Sequence, residues 1–125
     1  MKFARIVYYI AGIYGIIALF PLYFLEAKTG RDYPPAITHP EFYYGFVGIA
    51  LVFQFVFLII ACNPAKYRAL MPITVLEKLV FVVPTMILYF QNRLALPLFA
   101  TGLIELVFGL LFVAAFLKTK TVSEN

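Results

Sequence analysis

The stretch PLFATGLIELVFGLLFVAAFL, residues 97–117, decides the fold. A hydrocarbon core about 30 Å thick is crossed by about 20 apolar residues in a helix, and this run has that length. Its one ionisable residue, Glu105, lies near its middle. A carboxylate at membrane depth is costly, so such residues face a bundle interior, a cavity or a partner group.

Three further runs read the same way. With the first they give four spans: Ala4 to Leu25, Glu41 to Ala61, Pro72 to Phe90 and Pro97 to Leu117. They are too long and too continuously apolar for barrel strands, which alternate over about 10 residues. A helix is the remaining way to satisfy every backbone group in lipid. The expected fold is an all-α membrane protein, one domain over residues 1–125, built as an up-down-up-down bundle of four transmembrane helices.

Composition agrees. The chain is 64% hydrophobic and 13% charged, against about 45–50% and about 25% in soluble domains. The net charge of +4 reads as anchoring at a membrane face. No basic stripe with interleaved aromatics lies outside the spans, so a nucleic-acid partner is rejected. Lys2 and Arg5 before an apolar run resemble a signal peptide, but the run is longer than the usual core of about 7–15 residues and no small-x-small site follows. It is expected to be a retained first span.

The boundaries carry local chemistry. Thr38 to Glu41 has capping-box spacing. Asn63-Pro64 stops the second helix, while Pro72 and Pro97 suit a first turn. Pro21 and Pro84 fall inside runs and predict kinks. Short second and third loops predict that the second, third and fourth helices are antiparallel neighbours. Residues 26–40 read as a longer loop, either a cap over one mouth of the bundle or a linker on the headgroups. Near the span ends, Lys2, Arg5, Lys66, Arg68, Lys78, Lys118 and Lys120 fall on one side, and Lys28, Arg31 and Arg93 on the other. This bias predicts an inner-membrane protein with both termini cytoplasmic.

Stripes of small residues mark inward faces. Gly102, Glu105 and Gly109 share one in the last span, Ala11, Gly15 and Ala18 another in the first. At about 1.5 Å of rise per residue, Glu105 lies roughly 18 Å and Thr85 about 20 Å from the cytoplasmic ends. Gln54 and Tyr14 lie about 11–12 Å deep, and Glu77 and Lys78 about 8–9 Å. The expected site is a midplane contact between Glu105 and Thr85, above a lower layer of Glu77, Lys78, Gln54 and Tyr14. A direct Glu105–Lys78 pair needs a long reach and is disfavoured. Lys78 has two readings: an interfacial pair with Glu77, snorkelling to the headgroups, or part of a site with Arg68 and Gln54.

Other chemistries are thin. His39 is the single histidine and Ser123 the single serine, so no serine triad and no paired-histidine haem or iron site can form within one chain. His39 with Glu26, Asp32 or Glu41 is a weak metal set. Cys62 is expected to be a small buried hydrophobe. No catalytic residue, metal or cofactor is assigned, and the chain leans away from being an enzyme.

The segments HPEFYYGF (39–46), PAKYRALM (64–71) and VLEK (75–78) resemble a group of small, uncharacterised bacterial four-helix inner-membrane proteins and, more distantly, DoxX-like proteins. The resemblance implies four helices and an inner-membrane location, and no activity. The leading functional expectation is a non-enzymatic bundle, self-associating or an accessory subunit of a larger membrane complex. The alternative is a carrier or binder of a small lipophilic or proton-coupled ligand that uses Glu105. A membrane-embedded enzyme is third. A carrier requires a cavity reaching Glu105, whereas a subunit predicts Glu105 sealed between its glycines.

Overall fold

In a computed structural model, which describes residues 2–120, the chain is helical, with no strand among those residues. Five α-helices follow in order: α1 Lys2–Leu19, α2 Glu26–Asp32, α3 Pro40–Cys62, α4 Met71–Phe90 and α5 Leu96–Lys118. Four units are long and apolar enough to cross a bilayer, each of 23 residues: Lys2–Phe24, Pro40–Cys62, Arg68–Phe90 and Leu96–Lys118. Of an 18-residue apolar stretch in each, only 22–28% is buried within the protein, and side chains such as Ile17, Val80 and Leu117 point outward. In water that surface would be untenable; in lipid it needs no partner. The protein is a multi-pass membrane bundle.

The ends of the helices follow the prolines. Pro21 ends the α-helical ladder of α1, and the chain tightens into a 3₁₀ turn, Phe20–Phe24. Pro84 does not stop α4, which runs through it. The Thr85 hydroxyl donates to the Phe81 carbonyl at 2.6 Å in that turn, the kind of local bond that lets helices carry proline in lipid. The expected capping box does not form. Pro40 takes the first helical position of α3, so the cap shifts to His39, whose ring pairs with Glu41 at 3.0 Å. At the end of α4, Asn92 adopts φ 59°. The Arg93 amide donates to Leu88 O and the Asn92 amide to Tyr89 O, the Schellman pattern, with asparagine where glycine is usual.

Residues 26–40 are not simply a loop. Glu26–Asp32 forms the short α2, with Lys28 paired to Asp32 one turn on. Tyr44 on α3 donates to Glu26 Oε2 at 2.8 Å and Tyr43 to Leu22 O at 2.6 Å, tying this segment to the first turns of α3. Cys62 is exposed at the end of α3, 3.8 Å from the Tyr9 hydroxyl. The expectation of a buried thiol fails because Cys62 lies one residue past the packed stripe that ends at Ala61.

Packing departs from the expected order in one respect. α1 packs along α3, α4 along α5, and α1 against α5, but α3 and α4 barely touch. Loop length had pointed to an α3–α4 pair. The short link instead joins two hairpins whose spines, α1 and α5, carry the small residues that permit close approach.

The packed core fills the half of the bundle that holds the start of α1 and the end of α5. Tyr8 stacks on Phe112 (4.3 Å, 3°), and both meet Phe57 edge-on, at 6.1 Å and 5.0 Å. Ala4, Ala11, Ile60, Ala61, Met71 and Ala115 close round them. Thr74 gives its hydroxyl proton to Met71 O at 2.7 Å. The Tyr8 hydroxyl therefore donates to Thr74 Oγ1, at 2.8 Å.

The small-residue stripes face inward as expected. A Cβ at Gly15 would overlap the Gln54 amide, and one at Gly12 would lie 2.8 Å from Leu58 Cδ2. Gly15→Ala is expected to destabilise the bundle by about 1–3 kcal/mol through overpacking, and Gln54→Ala in the same chain should relieve it. Gly45, with nothing within 4 Å of its missing Cβ, should accept alanine without loss. Thermal unfolding of the purified chain in detergent checks all three.

Candidate functional site

The α4–α5 register builds the site. A Cβ at Gly109 would lie 3.3 Å from Lys78 Cβ, and one at Gly102 would lie 2.6 Å from Thr85 Cγ2. The two contacts are seven residues apart on each helix, so the helices run antiparallel at constant register. Glu105 then sits one turn, about 6 Å, beyond the level of Lys78. A lysine side chain spans that distance. Lys78 Nζ donates to Glu105 Oε2 in a direct ion pair.

This corrects two expectations. Glu105 does not meet Thr85, which packs against Gly102 and bonds its own helix. Lys78 does not snorkel: its side chain is 4% exposed and lies over the rings of Phe57, Phe108 and Phe112, 4.9–5.9 Å from their centroids. Depth counted from helix ends failed because those ends do not lie at one level, α4 being entered through the 3₁₀ turn Arg68–Leu70. Arg68 is also elsewhere, donating from Nε to Thr119 O at 2.6 Å and stacking on Phe116.

Glu77 completes the cluster without a full share of it. Its Oε2 lies 3.4 Å from Lys78 Nζ, close enough for charge attraction. The contact is not aligned as a hydrogen bond, and Oε2 is buried with no hydrogen-bond partner among the described residues. Two carboxylates thus share one ammonium. A buried pair repays its desolvation only with good geometry and satisfied lone pairs, and Glu105, which accepts from Lys78 Nζ, comes nearer to that than Glu77.

Above this cluster, towards the end of the bundle that carries α2, the core is hollow. A cavity of about 370 Å³ is lined by Tyr14, Gln54, Glu77, Phe81, Thr101 and Glu105, with apolar side chains from α1 and the turn after it. Gln54 is 2% exposed; its Nε2 donates to Ala50 O at 2.7 Å and its Oε1 has no partner among the described residues. The Tyr14 ring leans on Phe108 at 5.4 Å. Of the six expected site residues, four line this cavity, Glu77, Glu105, Gln54 and Tyr14, and a fifth, Lys78, is buried against the two carboxylates. Thr85 stands apart. The aromatic rings under Lys78 were missed, although Phe57 lies one turn from Gln54 and Phe108 and Phe112 one and two turns from Glu105.

The charged ends of the bundle are separate from this site. Lys118 Nζ lies 4.3 Å from the Phe3 ring centroid. With the Arg68–Thr119 contact, this places Lys2, Arg5, Arg68 and Lys118 at one end. Among the described residues, no three His, Cys, Asp or Glu side chains gather to hold a metal.

No family model, curated protein or solved structure matches this chain.

Proposed function

We propose that the protein binds and carries a small lipophilic ligand in the membrane, without transforming it, in the cavity that Glu77 and Glu105 line. The observation that carries this reading is a cavity of about 370 Å³ reaching both carboxylates. Mostly apolar walls with a few convergent polar groups are what a small-molecule site needs, and an ionisable cluster at membrane depth gives it a polar anchor. The reading of a bare bundle or accessory subunit expected Glu105 to be sealed between its glycines. Gly102 and Gly109 do pack on α4, but Glu105 also faces the cavity. The basic residues gathered at one end support an inner-membrane placement with that end, and both termini, in the cytoplasm.

The test uses the full chain in phosphatidylcholine nanodiscs, with empty nanodiscs as the baseline for partitioning. Two polarity-sensitive probes serve: dansylcadaverine, a monocation, and its uncharged N-acetyl analogue. Saturable, protein-dependent fluorescence is expected for at least one of them. Ala50→Phe, which puts a ring into the cavity, should weaken it at least tenfold. Wild-type protein that gives no saturable signal with either probe would sink the proposal.

A further inference from the structure

The α3–α4 seam is open where the other adjacent helices are closed. On its lipid side lies a groove of about 460 Å³, lined by Phe46, Phe53, Leu76, Glu77, Val80 and Phe81 among others. Groove and inner cavity share four wall residues: Phe46, Ala50, Glu77 and Phe81. Between the two spaces stand the stacked rings of Phe46 and Phe81, one from each helix, with centroids 6.1 Å apart. Backbone packing does not close this gap, since α3 and α4 barely touch. The two rings narrow it, and side chains change rotamer quickly.

The charges at the meeting point are unbalanced in one direction. The groups facing it are Glu77 from α4, Glu105 from α5, Tyr14 from α1 and the neutral Gln54 from α3, with Lys78 buried against the two carboxylates. Lys78 is committed to Glu105. What stays unmatched is acceptor capacity: Glu77 Oε2 and the Oε1 of the buried Gln54. A guest whose head carries no donor would leave both as they are, and a neutral donor would supply a hydrogen bond without the charge. A guest with a positively charged N–H head supplies the missing donor and the missing charge, and aromatic walls suit a cation as well as an apolar body.

Resting on the carrier reading above, we propose that the ligand is a lipophilic monocation, a protonated amine on an apolar body. It enters sideways from the bilayer between α3 and α4, past Phe46 and Phe81, and its head settles on Glu77. The geometry makes Glu77 the specificity residue and the ring pair the gate. Lys78 keeps Glu105 occupied, so one site takes one charge.

The same nanodisc assay tests class and route separately. Wild-type protein should bind dansylcadaverine at least tenfold more tightly than the N-acetyl analogue. Glu77→Gln should erase that preference while still binding the neutral probe. Equal affinity of the wild type for the two probes overturns the cation class and leaves the carrier reading standing. Binding of neither overturns the carrier reading itself. For the route, Phe46→Cys with Phe81→Cys, in a Cys62→Ala background, is bridged by a short bis-maleimide. Association of dansylcadaverine should slow at least tenfold relative to the same protein unbridged. An unchanged rate overturns lateral entry. If the double variant binds nothing before bridging, Val80→Trp replaces it. Val80 is 71% exposed at the mouth of the groove, and the tryptophan should slow association at least threefold; no slowing again overturns the route.

Discussion

Lys78→Met is expected to destabilise the bundle by about 3–5 kcal/mol, the range for removing one partner of a buried ion pair. The lysine is the only cation near Glu77 and Glu105 among the described residues, and its side chain is 4% exposed. Methionine keeps the length and the aromatic contacts, so the loss reads charge and not volume. Adding Glu105→Leu together with Glu77→Gln should bring stability back to within about 1 kcal/mol of wild type, because no carboxylate is then left without its cation and a neutral cluster of similar size replaces a buried ionic one at little net change. Unfolding in mixed micelles of increasing denaturing detergent measures both. A single variant as stable as wild type would mean that the pair contributes nothing, and that Lys78 is free to leave it.

Phe112→Ala is expected to lower stability by about 2 kcal/mol, and the reasoning differs from that for a soluble core. In water, truncating phenylalanine loses both transfer energy and packing. In lipid the surroundings are as apolar as the core, so burial itself contributes little and packing dominates. What remains is the cavity: roughly 100 Å³ at about 24 cal/mol per Å³. Phe112 stacks on Tyr8, meets Phe57 edge-on and lies beneath Lys78, so no neighbour can refill the space without leaving a ring or the ion pair exposed. Phe55 is the control. It is 51% exposed to lipid, and Phe55→Ala should change stability by no more than about 0.5 kcal/mol. Equal losses at the two positions would mean that lipid contact, and not the aromatic stack, holds the bundle.

The spans were legible because membrane thickness translates directly into run length. The last three were located to within one residue of α3, α4 and α5; the first was carried six residues past the end of α1, because Pro21 turns the α-helix into a 3₁₀ turn. The inward stripes were legible for a similar reason: glycine and alanine at helical spacing have few uses in lipid other than close approach. Thr85 was misplaced as the partner of Glu105 because depth was counted from helix ends. The true register is set by Gly109 against Lys78 and Gly102 against Thr85, which no single helix encodes. The open α3–α4 seam was not legible either. A short loop brings two helix ends together but does not make their faces fit. The large side chains on those faces, Phe46, Ile49, Phe53, Ile73 and Leu76, hold the helices apart as readily as they join them.

The division into two hairpins also bears on how the chain enters a membrane during synthesis. Every member of the ionic cluster, Glu77, Lys78 and Glu105, belongs to the α4–α5 hairpin, as does the Arg68 contact with the end of α5. Gln54, its Ala50 acceptor and the Gly15 notch that receives it belong to the first hairpin. Each half therefore holds its own ion pairs and side-chain-to-backbone bonds before the two halves meet. The contacts that join them afterwards include the Tyr8 hydroxyl on Thr74, the Tyr8–Phe57–Phe112 stack, and Lys78 and Lys118 lying over the rings of Phe57 and Phe3. Insertion can proceed as two independent, nearest-in-sequence steps, and a chain cut within residues 63–67 should assemble from its two co-expressed pieces.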